Sequence, residues 1–326
     1  MNRRHFVSSA VTLSAASLAP KLALAQAQAY PSKPVRLIDA FAPGSASDTI
    51  LRMIAPHLQE GLRQPCVVEN RPGASGNVAA RYLATVPADG HTILMATNTM
   101  LTANPHLFPG SSIDPQKDFN YVIPVSGIGM VIFGGPAAPA KDMQGVIARA
   151  KEKAGSVAYG TPGIGTPMHL IAELINQRTG AELSHVPYKG GPPMVADVMS
   201  GQIGIGIVAY SVIAGFLQQG RLTPLAVTGS RRLAILPNVP ALGELYPGID
   251  VSAWCALVAP KGTPAAAQQR FAEEAGRALS RPEVSARMRE LGLDRIEGNG
   301  ATVEALVGPE SARLGELIRK LNIRME

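Results

Sequence analysis

The chain is poor in cysteine and in aromatic residues. Its 326 residues include two cysteines, Cys66 and Cys255, and 5% aromatic residues. Two thiols cannot form the dense disulfide framework of a small secreted scaffold. Both lie inside apolar, strand-like runs, so we expect unpaired thiols, with a single disulfide between them as the alternative.

Runs of one charge are also missing. The formal net charge is +6, and Arg231-Arg232 is the longest basic run beyond the N-terminal segment. Removing the three positive charges of Arg3, Arg4 and Lys21 would lower the net charge to +3. A mildly basic chain without a Lys/Arg cluster does not indicate a nucleic-acid partner.

The familiar catalytic and metal-binding motifs are absent. The sequence has no G-x-S-x-G, no P-loop lysine, no Cys-x-x-Cys and no H-E-x-x-H. The histidines after the first 25 residues lack the short spacing of a zinc site; they are His57, His91, His106, His169 and His185. We therefore expect neither a catalytic residue nor a cofactor or metal.

The first 25 residues have the features of an export signal. Arg3-Arg4 precedes an apolar run over 7–19, and Ala23-Leu24-Ala25 offers a small-x-small cleavage site. That run is shorter than the about 20 residues of a spanning helix. We expect an exported protein with a cleaved signal peptide. Paired arginines fit both the twin-arginine route and the general route, so the route stays open.

The remaining chain alternates strand-like runs with helical patterns. Short β-like runs such as those over 35–41 and 92–96 precede glycine-rich turns, which lead into stretches with helical spacing. Two such series are joined by long strand-like segments. The pattern predicts an α/β protein of two lobes with a hinge, each lobe a sheet dominated by parallel strands and flanked by helices.

The stretch over 159–170, Y-G-T-P-G-I-G-T-P-M-H-L, is the most informative single segment. Thr166 stands where a helix N-cap belongs, and Pro167 stands at the first helical position. The next amides lack acceptors inside the helix, and such a helix start favours an anion. A plain turn between strand and helix explains this stretch alone equally well.

Ligands of open parallel sheets bind outside the carboxyl ends of the strands. By this rule the loops over 42–48, 71–77, 97–99 and 161–166 are candidate walls of one cleft. Ser47 or Asp48 is expected to cap the helix after the first of these loops.

Several segments, taken in order, resemble the receptors of tripartite tricarboxylate transporters, also called the TctC-type or Bug family. They are Y-P-S-K-P-V-R-L-I, F-A-P-G, V-V-E-N-R-P-G-A-S-G-N, D-G-H-T, G-T-P-G-I-G-T-P-M-H-L, H-V-P-Y-K-G, L-A-V-T-G-S-R-R, P-N-V-P and P-G-I-D-V-S-A-W. Each segment alone is weak, but the ordered set spans nearly the whole chain after the export signal.

The resemblance implies a two-lobed periplasmic binding protein of the class II type, a monomer that binds without catalysis. Its ligand would be a small organic carboxylate (a di- or tricarboxylate, an acidic amino acid or an aromatic acid), delivered to inner-membrane transporter subunits. The implied boundaries are 26–128 with 254–326 for lobe 1, and 129–253 for lobe 2. A sensor that presents its ligand to a membrane signalling partner, and a secreted hydrolase, are the alternatives.

The resemblance also implies that backbone amides and hydroxyls of the loops over 42–48 and 161–166 hold the carboxylate. Asp48 is expected to be a helix cap before a ligand contact, and His169 to be a core histidine. The candidate ligand-binding residues are Ala42, Gly44, Ser45, Ala46, Ser47, Asp48, Asn98, Thr161, Gly163, Ile164, Gly165, Thr166, His169 and Tyr210.

Two departures from the family pattern affect the expected contacts. Ser45 replaces a usual glycine, and its hydroxyl could donate to the ligand or its bulk displace a water. Gly204 stands where the family often has an aspartate, with Tyr210-Ser211 following. The contacts to the far end of the ligand are therefore left open.

Overall fold

The computed structural model describes residues 30–110, 113–249 and 253–320. The predicted export signal lies outside these residues. The strands are β1 Val35–Asp39, β2 Cys66–Asn70, β3 Thr92–Thr97, β4 Phe119–Ile128, β5 Met130–Gly134, β6 Ala158–Thr161, β7 Ser184–Pro187, β8 Ile205–Ala209, β9 Thr223–Val227, β10 Ala253–Pro260 and β11 Leu293–Arg295. The helices are α1 Ala46–Leu62, α2 Asn77–Thr85, α3 Asn104–Leu107, α4 Pro115–Asp118, α5 Met143–Glu152, α6 Pro167–Thr179, α7 Gly191–Ser200, α8 Tyr210–Gln218, α9 Leu242–Leu245, α10 Ala265–Leu279, α11 Pro282–Glu290 and α12 Gly300–Lys320.

The strands form two sheets. The first has the order β11-β4-β10-β3-β1-β2, and the second has the order β7-β6-β8-β5-β9. In the first sheet β1 pairs in parallel with β2 and β3. In the second, β6 pairs in parallel with β7 and β8. Each parallel group is built from βα units, which confirms the predicted two-lobed α/β architecture.

Neither sheet, however, is dominated by parallel pairs. β10 runs antiparallel to both β3 and β4, and β5 runs antiparallel to both β8 and β9. The long strand-like segments that join the two series are themselves central strands. β5, the first strand after the crossing, and β10, the first strand after the return, each run opposite to both of their neighbours, so both sheets are mixed.

Helices cover both faces of each sheet. On the first sheet, α1, α10 and α11 pack on one face, and α2 and α12 pack on the other. On the second sheet, one cluster includes α5 and α6 and the opposite cluster includes α7 and α8. Alternate residues of each strand point to opposite faces, which is why fully buried strands such as Thr92–Thr97 read as continuous apolar runs.

The lobes are joined where β4 passes into β5. Gly129 lies between these strands, its N–H donating to the Gly292 carbonyl and its own carbonyl accepting from the Tyr210 N–H. A small cluster also spans the lobes: Leu314 and Ile318 of α12 pack with Leu170 of α6. Strands β1–β4, β10 and β11 belong to one sheet and β5–β9 to the other; the residue boundaries of the lobes stay a prediction.

Two smaller points concern the thiols and the membrane. Cys66 and Cys255 are both free, as expected. Burial raises the pKa of Cys66 to about 11 and that of Cys255 to about 12, so both are held as thiols. Within the described ranges, no helix combines the length and the apolar character needed to cross a membrane.

Candidate functional site

The first wall of the cleft is the loop between β1 and α1. Ser45 caps the helix, accepting from the Asp48 N–H at 3.2 Å through its hydroxyl oxygen. The cap is therefore Ser45 and neither Ser47 nor Asp48, because the chain is already helical from Ala46. Asp48 instead accepts from the Gly44 N–H at 2.9 Å and from Arg52 one turn later. This reciprocal arrangement resembles a capping box.

A buried carboxyl group lies beneath this loop. Asp39, the last residue of β1, has no exposed surface, and its Oδ2 accepts from the Ser45 hydroxyl at 3.1 Å. Burial, with a smaller contribution from the nearby Asp48 carboxylate, raises the pKa of Asp39 to about 7, although the hydrogen bonds from Ser47 and Ser45 act in the opposite direction. Asn70 donates to both carboxyl groups, at 3.3 Å to Asp39 and 2.8 Å to Asp48.

The second wall is the loop between β6 and α6. Thr166 is the N-cap and Pro167 the first helical residue, as predicted. The Thr166 hydroxyl donates to the Gly163 carbonyl at 2.7 Å and accepts from the His169 N–H at 3.4 Å. Gly165 has a φ of +75°, a left-handed conformation that glycine adopts without strain.

Two stacked histidines support the second loop from behind. The ring centroids of His169 and His185 lie 4.2 Å apart with the rings nearly parallel, and the Tyr159 ring also stacks on His185, at 4.9 Å. His169 Nδ1 accepts from the Gly165 N–H at 3.1 Å, and His185 Nε2 lies 2.7 Å from the Thr161 hydroxyl. Burial lowers the pKa of both rings to about 4, so both are neutral at pH 7.

Four helices begin around one cavity, the inner cavity, of about 70 Å³. They are α1 and α6 at the two loops, α7 at Gly191 and α8 at Tyr210. Its polar lining consists of Ser45, Ser47, Thr97, Asn98 and Thr166. Its apolar lining includes Phe41, Ile128, Met168, Pro192, Val208, Ala209, Val212 and Ala253.

A second, larger space, the outer cavity, adjoins the inner cavity. It measures about 560 Å³ and shares Phe41, Ala42, Pro162, Thr166 and Gly190 with it. The loop over 72–76 and the segment over 187–190 form its further walls. Of the described residues that line the two cavities, Lys189 alone carries a charged side chain.

The arrangement supplies unpaired donors to the inner cavity. The N–H groups of Ala46, Ser47 and Met168 stand in first helical turns, where no acceptor exists within the helix. The Thr97 hydroxyl is buried and finds no hydrogen-bond partner among the described residues. Positive helix ends and unpaired donors together suit an anion.

All the predicted site residues except Tyr210 fall into three groups. Those that line the inner cavity are Ala42, Ser45, Ala46, Ser47, Asn98 and Thr166; Gly163 and Ile164 line the outer cavity. Gly44, Asp48, Thr161, Gly165 and His169 support the loops from behind. The Asn98 side chain donates to Glu310 at 2.6 Å and accepts from the Trp254 N–H at 3.4 Å.

Tyr210 is not among the residues that line either cavity, although its neighbours Ala209 and Val212 line the inner one. Its side chain is buried in the core cluster of α7 and α8 and packs closely against Gly292. Gly204 also lies elsewhere, next to the Ala137 carbonyl. The departures noted at these two positions therefore concern packing at the two ends of β8, the central strand of the second sheet, and not the lining of the inner cavity.

Sequence reasoning missed Thr97 and the start of α7. Thr97 lies at the carboxyl end of β3, beside β1 in a parallel pair. The predicted wall over 97–99 includes Thr97, but the predicted ligand-binding residues include only its neighbour Asn98. Gly190 ends the family-like segment H-V-P-Y-K-G after β7 and Gly191 follows it, and two glycines before a helix start are the signal that could have found this wall.

The two lobes touch across the cleft. The Ser75 hydroxyl donates to the Ile164 carbonyl of the second loop. A Cβ at Gly190 would lie 3.4 Å from the Ala42 Cβ, and one at Gly165 would lie 3.0 Å from Leu107. The structure is therefore a closed form, with the loops of the two lobes in contact.

No group of three or more His, Cys, Asp or Glu residues in the described part of the chain is placed to hold a metal ion. A carboxylate would have to be held by amides, hydroxyls and helix ends. Two lobes that close over a cleft lined by helix N-termini define a periplasmic binding protein.

The comparisons with known proteins give the family. The family described as "Tripartite tricarboxylate transporter family receptor" matches residues 50–323. The chain belongs to this family, and it is a solute-binding protein and not an enzyme. Protein BugT of Bordetella pertussis is 35% identical over 242 residues, which cover 73% of this chain and 73% of BugT.

Solved structures of similar proteins have the same fold as this chain. R. palustris Rpa4515, solved with adipate, is 30% identical with a TM-score of 0.86, and the match covers 90% of this chain and 99% of that one. MatC from Rhodopseudomonas palustris, solved with bound malate, is 26% identical with a TM-score of 0.83, covering 89% and 100%. The predicted family and fold are thereby confirmed.

Proposed function

We propose that this protein captures a small organic carboxylate between its lobes and delivers it to the inner-membrane subunits of a tripartite tricarboxylate-type transporter. One observation carries the proposal: four helix N-termini converge on a cavity whose described lining contains no acidic side chain. Two structurally similar proteins were solved with the carboxylates adipate and malate.

The expected affinity follows from the donors. A hydrogen bond to a charged group contributes ~1.5–3 kcal/mol, and a partly buried helix end contributes up to ~2 kcal/mol. Three or four such interactions, reduced by the cost of association, are enough for micromolar binding, which corresponds to about 8 kcal/mol.

The ligand contacts we propose are the loops over 42–48 and 161–166. Ser45, Ser47 and Thr166 line the inner cavity, whereas Asp48 and His169 act through the loops that they support. Both loops belong to one chain, so a monomer suffices. We also propose that residues 1–25 direct export to the periplasm and are removed, by either export route.

The first test is a thermal-shift screen of the unligated mature protein at neutral pH, with carboxylates, amides and sugars. A ligand at about 100 times its Kd adds about 2.7 kcal/mol to the free energy of unfolding. We expect at least one carboxylate to raise Tm. Thr166→Ala, which removes the cap beside the cavity, and Gly163→Leu, which fills the outer cavity, should both weaken the shift. Stabilisation by amides or sugars, and by no acid, would refute the anion site.

Delivery to a transporter needs a separate test in cells. Deleting the gene should abolish uptake of the stabilising acid while leaving its metabolism intact. Normal uptake combined with loss of a transcriptional or chemotactic response to that acid would instead assign the protein to a signalling partner.

A further inference from the structure

One face of α12 contacts both lobes. Val307, in the first half of the helix, belongs to a core cluster of the first sheet. Leu314 and Ile318, in the second half, pack with Leu170 of α6, the helix that follows the second loop. A spacing of three to four residues puts these α12 side chains on one side of the helix, with Glu310 between them. The helix therefore bridges the first sheet and the second lobe.

Glu310, the acidic residue on this face, binds the wall of the inner cavity. Its Oε1 accepts from the Asn98 side-chain amide at 2.6 Å, and its Oε2 accepts from the Trp254 indole N–H at 2.7 Å. The Asn98 Oδ1 in turn accepts from the Trp254 backbone N–H at 3.4 Å. Asn98 and Ala253, the residue before Trp254, both line the inner cavity, and Glu310 is not among the described residues that line it. Glu310 therefore holds the cavity wall from behind.

The two partners of Glu310 explain why this position needs a carboxylate. Both groups that face it are donors, and a carboxylate offers each of them its own acceptor oxygen. A glutamine has one acceptor oxygen, and its amide N–H groups would face the other donor. Asn98 is 1% exposed and Trp254 is 5% exposed, so water would not readily replace a lost bond. The hydrogen bonds of this wall therefore depend on the ionised side chain of Glu310.

The middle of α12 lies against the segment that follows Asn98. This segment begins with one turn of π-helix, Thr99–Ala103, a rare element that is frequent at functional sites. His106, farther along, has its Nε2 3.0 Å from the Ser311 hydroxyl. A Cβ at Gly315 would lie 2.6 Å from the His106 ring, so a glycine is needed for this close approach. These contacts fix the part of α12 that joins its polar contact with the cavity wall to its apolar contact with α6.

The apolar contact with α6 is buried and lies beside the second loop. Leu170, Leu314 and Ile318 are 1%, 2% and 2% exposed. Leu107 belongs to the same cluster and also reaches the second loop, because a Cβ at Gly165 would lie 3.0 Å from its Cδ1. Separating the lobes at this point would return apolar side chains to water, which is unfavourable. The contact therefore stabilises the closed form.

We propose that the contact of Leu314 and Ile318 with Leu170, the α12 latch, holds the lobes closed, and that Glu310 is the positioning residue that ties this latch to the cavity wall. The inference rests on the proposed function and describes how that site is regulated. A ligand in the inner cavity contacts the wall that Glu310 holds, and Glu310 keeps that wall in register with the helix surface on which α6 docks. When the Glu310 bonds are lost, α12 shifts, the latch weakens and the lobes open more often.

Opening is measured by double electron–electron resonance between one spin label on each lobe. The labels are attached to cysteines at Val78, in α2, and at Ile235, in the second lobe. These side chains are 40% and 38% exposed, so labels there should leave the fold intact. The background carries Cys66→Ala, which removes the less buried native thiol. Distances are recorded without an acid and with adipate.

We expect Glu310→Gln to raise the population of the longer, open distance at least threefold in the absence of an acid. Leu170→Ala, which acts on the opposite lobe, should do the same. The controls are Glu316→Gln and Leu306→Ala, two exposed positions on the same helix, and both should match the wild type. An unchanged distance distribution in both test variants, without an acid and with adipate, would overturn this inference and leave the proposed function standing. A changed distribution combined with binding of no acid in the carboxylate screen would keep the latch and overturn the proposed function.

Dissociation rates separate a positioning role from a merely structural one. Trp254 is the only tryptophan in the sequence, so its fluorescence provides a stopped-flow signal for the release of adipate, or of another screened acid that stabilises the protein more. We expect Glu310→Gln to release the acid at least fivefold faster, with little change in the association rate. Glu310→Gln combined with Leu170→Ala should be at most about twofold faster than the faster single variant, because both changes release the same latch. Effects that multiply in the double variant would show that Glu310 acts only on its own wall and would contradict the coupling.

Discussion

At the scale of single residues, Asp39 is the group that couples the site to pH. It lies below the β1–α1 loop and is fully buried. Its carboxyl group accepts hydrogen bonds from the Ser45 hydroxyl and from the Asn70 side-chain amide. Its Oδ1 has no partner among the described residues. Because its pKa is raised to about 7, the charge beneath the anion site changes near neutral pH.

We predict that carboxylate affinity falls as pH rises through 7. Above this pH the ionised Asp39 repels the bound anion, and below it the neutral carboxyl does not. The expected loss between pH 6 and 8.5 is roughly three- to tenfold at an effective dielectric constant of about 20. Calorimetry in buffers of different ionisation enthalpy should also detect proton uptake on binding. Asp39→Asn should abolish the slope, and Asp142→Asn, an exposed helix cap of α5, should leave it intact. An equal slope in Asp39→Asn would assign the effect to another group.

The raised pKa of Asp39 also leads to a prediction about the free energy of unfolding. A folded-state pKa above the ordinary value of 3.8 means that the stabilising contribution is complete below about pH 4 and is lost as pH rises through 7. Asp39→Asn should therefore increase the free energy of unfolding at pH 8 by ~1–3 kcal/mol. Urea unfolding at pH 5 and pH 8 would measure this, and a variant less stable than wild type at pH 8 would contradict it.

At the scale of elements, the start of α6 depends on neutral histidines. His169 can accept from the Gly165 N–H only while Nδ1 carries no proton. The His169–His185 stack adds a reason against protonation, because two charged rings 4.2 Å apart would repel each other. The local sequence predicts where α6 begins. The His169 ring, which accepts from the Gly165 N–H, lies in the first turn of α6 and stacks on His185 of β7.

We expect acid to destabilise this element. Because the folded-state pKa values are lowered to about 4 from 6.5, the stabilising contribution is present above 6.5 and is lost as pH falls through 4. The loss is on the order of 3 kcal/mol for His169, the more deeply buried of the two rings. His185→Phe keeps a ring between Tyr159 and His169 and should flatten the fall in Tm between pH 6.5 and 4. His57→Gln, which changes a histidine on α1, is the control. A full acid response in His185→Phe would refute the assignment.

At the scale of the whole molecule, closure rests on a few contacts between lobes. The Ser75 hydroxyl donates to the Ile164 carbonyl, and Asn104 holds the Ser75 carbonyl at 3.0 Å. Ala74 and Ser75 both have positive φ, of 46° and 51°, which is uncommon for residues with a Cβ. The loop thus keeps a strained backbone in the geometry that brings this hydroxyl to the opposite lobe.

We predict that Ser75→Ala weakens ligand binding through faster dissociation. A typical hydrogen bond contributes about 0.5–1.5 kcal/mol, so affinity should fall roughly two- to tenfold if the bond exists only in the closed form. Ser75→Gly, which also lacks the hydroxyl but relieves the backbone strain, should show the same faster dissociation. Ser200→Ala, a serine bonded within its own helix, is the control. Stopped-flow dissociation rates equal to wild type in both Ser75 variants would exclude this contact from closure.

The sequence was sufficient to predict features that depend only on residues close together in the chain. Thr166 and Pro167 mark a helix start because a cap and a missing N–H act within four residues. The same reasoning predicts Ser47 or Asp48 in place of Ser45, since the three polar candidates lie within four residues and differ only in where the backbone turns helical. The two free cysteines, the βα alternation and the family were also predictable from the printed sequence.

By itself, the amino-acid sequence determined the class of fold, the two glycine-rich loops and the family, because periodicity, capping and ordered motifs are written along the chain. Only the tertiary structure decided that both sheets are mixed, that Thr97 shares a cavity with Ser47, and that Tyr210 packs in the core. The physical reason is that strand direction, burial and the loss of hydrogen-bond partners depend on neighbours distant in sequence, which arrive only when the lobes have formed and closed.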